Sequence, residues 1–480
     1  MPDSSLKDKT AKGLLWGGLN NGLTQLLNLV FGIFLARILT PEDYGMVAML
    51  TVFSSVAGTL QDSGFTVALA NKATVEHRDY NAVFWFSILV SAGLYGLLFW
   101  AAPSIARFYG TPQLTALARY SFLGFFIVSL GVAQGAYLFR HLMVRQKAVS
   151  SVVALLVSGV VGVWMAYAGW SYWAIATQSI VYVSLNVCGY WYFSPWRPSF
   201  RIDFRPLRGM VGFSSKLLLT QLFTQVNNNL FSIVLGRFYT EREVGYFGQA
   251  NKWNLMGHSF ISGMVGSVAQ PVLAQVASES DRQVRVFRKM LRFTAFVSCP
   301  CMFGLSLVAP ELITIAVTDK WAASASILRV LCIGGAFVPM AALYGNLLLS
   351  KGRSDWFMAS TVALGLVQLA ALLLAYPYGV LAMAGCYVGI QTAWLLVWHC
   401  FVWRAWRLSL GCVLKDVAPY VVIAAGVMGM VHYATLPLTQ VYGLFLAKVA
   451  MAVVLYVVMM WLTDSVIFQE TWAYVRKKKN

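Results

Sequence analysis

The chain has 480 residues, of which 59% are hydrophobic and 11% charged, with a mean hydropathy of +0.67; a soluble chain of this length carries about a quarter charged residues. A net charge of +18 would suit nucleic acid in a soluble protein, but here it fits loops that face anionic lipid, so nucleic acid is excluded as a partner. The apolar residues fall in blocks of about twenty, the length that crosses a hydrocarbon core, with no room between blocks for a soluble domain.

Fourteen spans are predicted, at roughly 13–36, 44–69, 81–102, 114–138, 148–168, 171–193, 209–236, 244–275, 290–316, 324–349, 356–376, 379–403, 416–433 and 441–467. The first lacks a cleavage site of small residues after its apolar run, and reads as a retained helix. Thr40-Pro41-Glu42-Asp43 starts the second span, with Thr as N-cap, Pro at the first helical position and acids in the first turn. Asp62 lies near that span's end. The fourth span carries Arg119, and the seventh carries Lys216 and the run Asn227-Asn228-Asn229. Thr240-Glu241-Arg242-Glu243 is a capping box that opens the eighth, which contains Asn251, Lys252, Asn254 and His258. The ninth span holds Glu311 and places Cys299 and Cys301 around Pro300; these thiols lack metal-ligand spacing, and no disulfide framework is expected from an odd total of seven cysteines. Arg329 lies in the tenth span and Lys448 in the fourteenth, which ends near Asp464 ahead of a basic tail.

Cationic residues orient the array. With the N-terminus in the cytoplasm, most of the 36 lysines and arginines fall in inside segments, including Arg197, Arg201, Arg205 and Arg208 in one loop and Arg282, Arg285, Arg288, Lys289 and Arg292 in another. Only Arg37, Arg107, Arg237, Arg242 and Lys320 fall outside. Both termini are therefore expected in the cytoplasm.

Residues 23–45 align without a gap on residues 223–245. Thr24, Gln25, Asn28, Phe31, Ile33, Leu35, Arg37, Thr40 and Gly45 recur as Thr224, Gln225, Asn228, Phe231, Ile233, Leu235, Arg237, Thr240 and Gly245. Arg119, Gly124, Val128, Gly135 and Leu138 recur as Arg329, Gly334, Val338, Gly345 and Leu348. Span 1 thus corresponds to span 7 and span 4 to span 10, and an even repeat of six keeps both halves in one orientation, as in transporters with a cavity between two bundles. The expected fold is an all-α membrane protein of about 14 transmembrane helices. It comprises an N-terminal six-helix bundle (1–205), a C-terminal six-helix bundle (206–407), and two additional helices with a basic tail (408–480).

Ionisable groups at membrane depth are costly and usually face a cavity or a partner. Lys216 and Lys252, with Asn227, Asn228, Asn229, Asn251 and Asn254, form a candidate substrate-binding set: cations for phosphate, amides for sugar hydroxyls. Arg119 and Arg329 join it through their recurrence in both halves. Snorkelling and interhelical bonds are the structural alternatives for all of these. Asp62, Glu311 and Asp464 are the scarce acids; each reads as an end-capping or paired surface group, and Asp62 is the candidate should transport be coupled to protons or sodium. His258 reads as a hydrogen-bonded packing histidine.

The run Leu35-Ala-Arg-Ile-Leu-Thr-Pro-Glu-Asp-Tyr-Gly45 resembles the first-loop signature of the polysaccharide transporters of the multidrug/oligosaccharidyl-lipid/polysaccharide (MOP) exporter superfamily. Leu235-Gly-Arg-Phe-Tyr-Thr-Glu-Arg-Glu-Val-Gly-Tyr-Phe247, Gln270-Pro271 before a basic loop, and Val308-Ala-Pro-Glu-Leu-Ile-Thr-Ile-Ala-Val-Thr-Asp-Lys-Trp321 resemble the family too. The chain is most similar to the Wzx-type flippases of O-antigen, capsule and exopolysaccharide pathways. The resemblance implies a MATE-like fold and a bacterial inner-membrane location. It implies transport of an undecaprenyl-pyrophosphate-linked oligosaccharide between leaflets by alternating access. It also implies partners among membrane lipids, a polymerase and other polysaccharide assembly proteins, with no cofactor or metal. Relatives often carry an acid in the middle of span 7, where this chain has Asn227-Asn228-Asn229. Alternatives within the superfamily are a cation-coupled multidrug exporter, disfavoured because spans 1 and 7 lack a carboxylate, and a lipid II flippase, expected to carry a cation deep in span 1. A polymerase or ligase would need a large outer loop, so no enzyme is expected.

Overall fold

The computed structural model describes the backbone of residues 3–62, 69, 75–463 and 467–469, with the side chains of 3–15, 17–19, 61–62, 206 and 208–220 outside the description. The described residues form helices and connecting turns with no strand. In chain order the helices are α1 (Asp3–Ile38), α2 (Pro41–Asp62), α3 (His77–Tyr109), α4 (Leu114–Ser129), α5 (Val132–Arg140), α6 (Val144–Tyr167), α7 (Tyr172–Phe193), α8 (Arg208–Phe238), α9 (Glu241–Gln275), α10 (Ser280–Val317), α11 (Ala322–Gly335), α12 (Val338–Ser350), α13 (Ser354–Ala375), α14 (Val380–Trp406), α15 (Leu410–Ala434) and α16 (Val441–Leu462). Within the described residues, each predicted span falls on one helix or on two consecutive ones. Among the described residues, ten helical stretches are long and apolar enough to cross a membrane, or up to eleven if the α4–α5 pair, bent by 44°, is one span. The helices 172–193, 208–238 and 241–275 are not among them; the last two hold the asparagine runs and Lys252, which lower their apolarity.

The duplicated positions carry duplicated local structure. Thr40 N and Oγ1 each donate to Asp43 Oδ2 at 2.9 Å, and Asp43 N returns a 3.3 Å bond to Thr40 Oγ1. Thr240 N donates to Glu243 Oε2 at 3.1 Å. A side chain three residues into each helix thus satisfies the amide that the first turn leaves open. The predicted fourth and tenth spans are both broken, between α4 and α5 and between α11 and α12, and each break falls between the matched glycines.

The chain divides into two compact units, Met1–Gly245 and Tyr246–Asn480. In unit 1, α1 packs on α6, α6 on α7, α3 on α4, and α2 on α8. The connector after α7 is pinned to α3: Asn81, 3% exposed, donates from Nδ2 to Arg201 O at 2.6 Å and accepts from Ser199 N at 2.8 Å. Trp85 Nε1 adds a 2.8 Å bond to Ser199 O. In unit 2, α10 is the central element, packing on α11, α15 and α16. Its Phe287, Leu291, Ala295 and Cys299 enter one apolar core with Val427 and Val431 of α15 and Met460 of α16.

Candidate functional site

Helix α9 concentrates the polar chemistry of unit 2. Residues 251, 254, 258 and 262 recur at spacings of three and four, which sets them on one helix face. Asn254 and His258 are buried, as is Gln249; Asn251 and Lys252 are half-buried. Five buried polar atoms on this helix have no hydrogen-bond partner among the described residues: Gln249 Oε1, Trp253 Nε1, Asn254 Oδ1, His258 Nδ1 and Ser262 Oγ. The expected hydrogen bond of His258 is therefore missing at Nδ1. Lys252 likewise has no hydrogen bond or ion pair among the described residues. Buried polar groups in proteins are nearly always satisfied, by protein, water or ligand; at about 100° per residue Asn254, His258 and Ser262 share the face of Asn251, while Gln249 and Trp253 turn to the opposite face, so the polar row of α9 is Asn251, Asn254, His258 and Ser262. Gly335 of α11 makes room for the Asn254 side chain: a methyl there would run into Asn254 Oδ1 and Met302 Cε. Gly257 lets α9 close on α10, where a methyl would stand 2.9 Å from Met302 Sδ.

Arg329, on α11, is exposed and has no side-chain partner among the described residues; only its carbonyl is engaged, by Ser306 Oγ at 3.0 Å. In unit 1 the three asparagines do not converge. Successive residues on a helix point 100° apart, so Asn228 is exposed while Asn227 and Asn229 are half-buried, and Asn229 Nδ2 is spent on Gln225 O at 2.8 Å. Arg119 is held by its own unit: Nε donates to Phe99 O at 3.3 Å, and the guanidinium sits 4.3 Å over the Phe99 ring. Lys216 and Asp62 lie outside the described side chains, as does Asp464.

Two charged groupings were not legible in the sequence. Lys448 Nζ on α16 meets Glu311 Oε1 on α10 at 2.7 Å, with the two side chains 5% and 8% exposed. Glu311 is paired as expected of a scarce membrane acid, but it is buried, not at the surface. Asp416 on α15, 5% exposed, takes a forked bond from Arg288, at 2.6 Å to Nε and 3.1 Å to Nη2, with Arg292 Nε at 3.6 Å. No cluster of metal-ligating side chains exists among the described residues.

Residues 34–326 match the model of a family described as polysaccharide biosynthesis protein. Relatives include the teichuronic acid biosynthesis protein TuaB of Bacillus subtilis strain 168, 25% identical over 445 residues and covering 89% of each chain. The lipopolysaccharide biosynthesis protein WzxC of Escherichia coli strain K12 is 22% identical, covering 73% of this chain and 72% of its own. The succinoglycan biosynthesis transport protein ExoT of Rhizobium meliloti strain 1021 is 23% identical, covering 66% and 64%. Among solved structures, the lipid II flippase MurJ in an inward closed conformation superposes with a TM-score of 0.77 at 13% identity, over 95% of this chain and 99% of that one. An inward-facing MATE multidrug transporter of the MOP superfamily gives 0.62 at 15% identity, over 85% and 96%. These superpositions place the fold in the MOP class.

Proposed function

The chain belongs to the polysaccharide biosynthesis protein family, a multi-pass membrane protein with the MOP fold, and on that premise we propose that it is a flippase for lipid-linked oligosaccharide. Its cargo is an undecaprenyl-pyrophosphate-linked repeat unit, moved from the cytoplasmic to the periplasmic leaflet of a bacterial inner membrane by alternating access, with both termini in the cytoplasm. The observation that carries this reading is the α9 row: Asn254, His258 and Ser262, whose buried polar atoms have no partner among the described residues, on the helix that also carries the unpaired Lys252.

The chemistry of that row matches such a cargo. An amide oxygen and an imidazole nitrogen accept from sugar hydroxyls, and a serine hydroxyl donates to them. Lys252 supplies a point charge for the pyrophosphate, worth more where water is excluded. Each group costs free energy while it stands desolvated and unpaired, so the helix favours a hydroxylated anion over an apolar molecule. Asn251 and Arg329 are the further candidates of unit 2, Lys216, Asn227, Asn228, Asn229 and Arg119 those of unit 1, and Asp62 is the proposed acid for ion coupling.

The test is lipid-linked oligosaccharide in a strain depleted of this protein and complemented with wild type or with Lys252→Ala. The expected result is build-up on the cytoplasmic face, cured by wild type and not by the variant. Full cure by the variant removes Lys252 from the site. A depletion that causes no build-up but raises drug sensitivity replaces the flippase with a drug exporter.

A further inference from the structure

Unit 1 contains a cavity that the transport reading does not use. It has a volume of about 280 Å³ and lies among α4, α5, the start of α6, and α7, with Lys147, Asn186, Tyr182, Tyr190 and Gly135 on its wall. Lys147 stands one turn inside α6. Its ammonium lies 5.6 Å from the Phe139 ring and 5.6 Å from the Tyr190 ring, and it has no hydrogen bond or ion pair among the described residues. No acid is available locally: between Asp79 and Asp203 the sequence contains neither Asp nor Glu. Asn186, also on the wall, has its Oδ1 buried with no donor. Tyr182, whose hydroxyl is 3.4 Å from Ser151 Oγ, lines the cavity as well. Gly135 keeps α5 against α7, since a methyl there would stand 3.2 Å from the Tyr190 ring.

A cation without a counter-charge and a buried acceptor without a donor ask for a ligand that is both anionic and a hydroxyl donor. We propose that this cavity binds a phosphate ester that carries a free hydroxyl, with the phosphate on Lys147 and the hydroxyl on Asn186 Oδ1. Drug-sized ligands occupy roughly 300–1,000 Å³, so the space admits a headgroup and excludes an oligosaccharide. The site is separate from the α9 row and takes no part in carrying cargo. On the proposed orientation, the first turn of α6 is at the level of the cytoplasmic headgroups, where phosphatidylglycerol offers this pair of groups; soluble glycerol phosphate offers the same pair.

The experiment is native mass spectrometry of the full chain released from detergent, titrated with phosphatidylglycerol, phosphatidic acid, phosphatidylcholine and soluble glycerol phosphate. Lys147→Gln should weaken phosphatidylglycerol binding about ten- to a hundredfold, the worth of one charge-assisted bond, and leave phosphatidylcholine unchanged. Arg145→Gln removes the same charge from the same helix turn, where Arg145 sits over Trp16, and should leave binding unchanged. Asn186→Val should abolish the preference for phosphatidylglycerol over phosphatidic acid, which lacks the hydroxyl. Lys147→Arg keeps the charge and should keep binding, which separates loss of the site from loss of the fold. Lys147-dependent binding of glycerol phosphate but not of the lipid assigns the site to a soluble ester. Equal losses in the Lys147 and Arg145 variants, or no loss in either, overturn it. The readout is binding without transport, so its failure leaves the flippase reading standing.

Discussion

Lys448 of α16 and Glu311 of α10 are 137 residues apart in sequence and 2.7 Å apart in space, both below a tenth exposed. Lys448 Nζ also reaches Leu307 O at 3.5 Å, while Glu311 Oε2 has no hydrogen-bond partner among the described residues. The first prediction concerns this pair. Removing one partner leaves an uncompensated buried charge, so Lys448→Met or Glu311→Gln should each destabilise unit 2, the lysine variant by about 3–5 kcal/mol. The double variant should recover most of that loss, because no charge remains to be desolvated. Thermal unfolding of the four proteins in one detergent gives the coupling; additive losses would mean that the contact carries no energy.

Asp416 is the matching anchor at the other end of α10. Arg288 and Glu311 are 23 residues apart, roughly 35 Å along a helix, so α10 is ion-paired to α15 near its start and to α16 near its end. Asp416→Asn leaves Arg288 and Arg292 facing each other without a counter-charge and should cost about 1–3 kcal/mol. Hydrogen exchange on α15 checks it. Faster exchange confined to that helix is expected, and unchanged protection would show the fork to be a surface pair of little worth.

Gly45 and Gly245 occupy equivalent positions of the repeat, and each faces the other copy's helix start. A methyl on Gly45 would strike the Glu241 carbonyl, and one on Gly245 would strike the Pro41 carbonyl and stand 3.2 Å from Gly45 N. The contact is self-complementary under the same 200-residue shift that relates the sequences. Around it, Arg242 pairs with Glu42 at 3.4 Å and Thr111 Oγ1 donates to Glu241 Oε1. Gly45→Ala and Gly245→Ala should each cost about 1–3 kcal/mol, as overpacking against immovable backbone does. Gly93→Ala and Gly96→Ala, which meet nothing within 4 Å, should be neutral or stabilise α3 by about 0.5–1 kcal/mol. Comparable melting temperatures for all four would refute the contact.

Asn81 holds the connector between the two halves by both ends of its amide. Asn81→Ala removes the bonds to the Arg201 carbonyl and the Ser199 amide, a loss of about 0.5–1.5 kcal/mol each at these part-buried positions. Limited trypsinolysis reads it directly: cleavage after Arg201, the connector arginine not followed by proline, should accelerate several-fold while cuts elsewhere keep their rate. An unchanged connector would mean that Trp85 alone suffices to hold it.

Much of the architecture is legible in the sequence because it rests on local quantities. The length of each apolar block, set by the hydrocarbon thickness, places the helices. The Thr40 and Thr240 caps open α2 and α9 because a side chain three residues away satisfies a free amide. The duplication shows in the offset of 200, and α9 announces itself through Lys252, Asn251 and Asn254. Sequence adjacency misleads at Asn227-Asn228-Asn229, where the helical rotation turns neighbours onto different faces. Tertiary structure alone decided which charges meet. Hydropathy fixes how deep Glu311, Lys448 and Asp416 lie but carries no term for which helices stand side by side. Their partners come from the lateral packing of α10, α15 and α16.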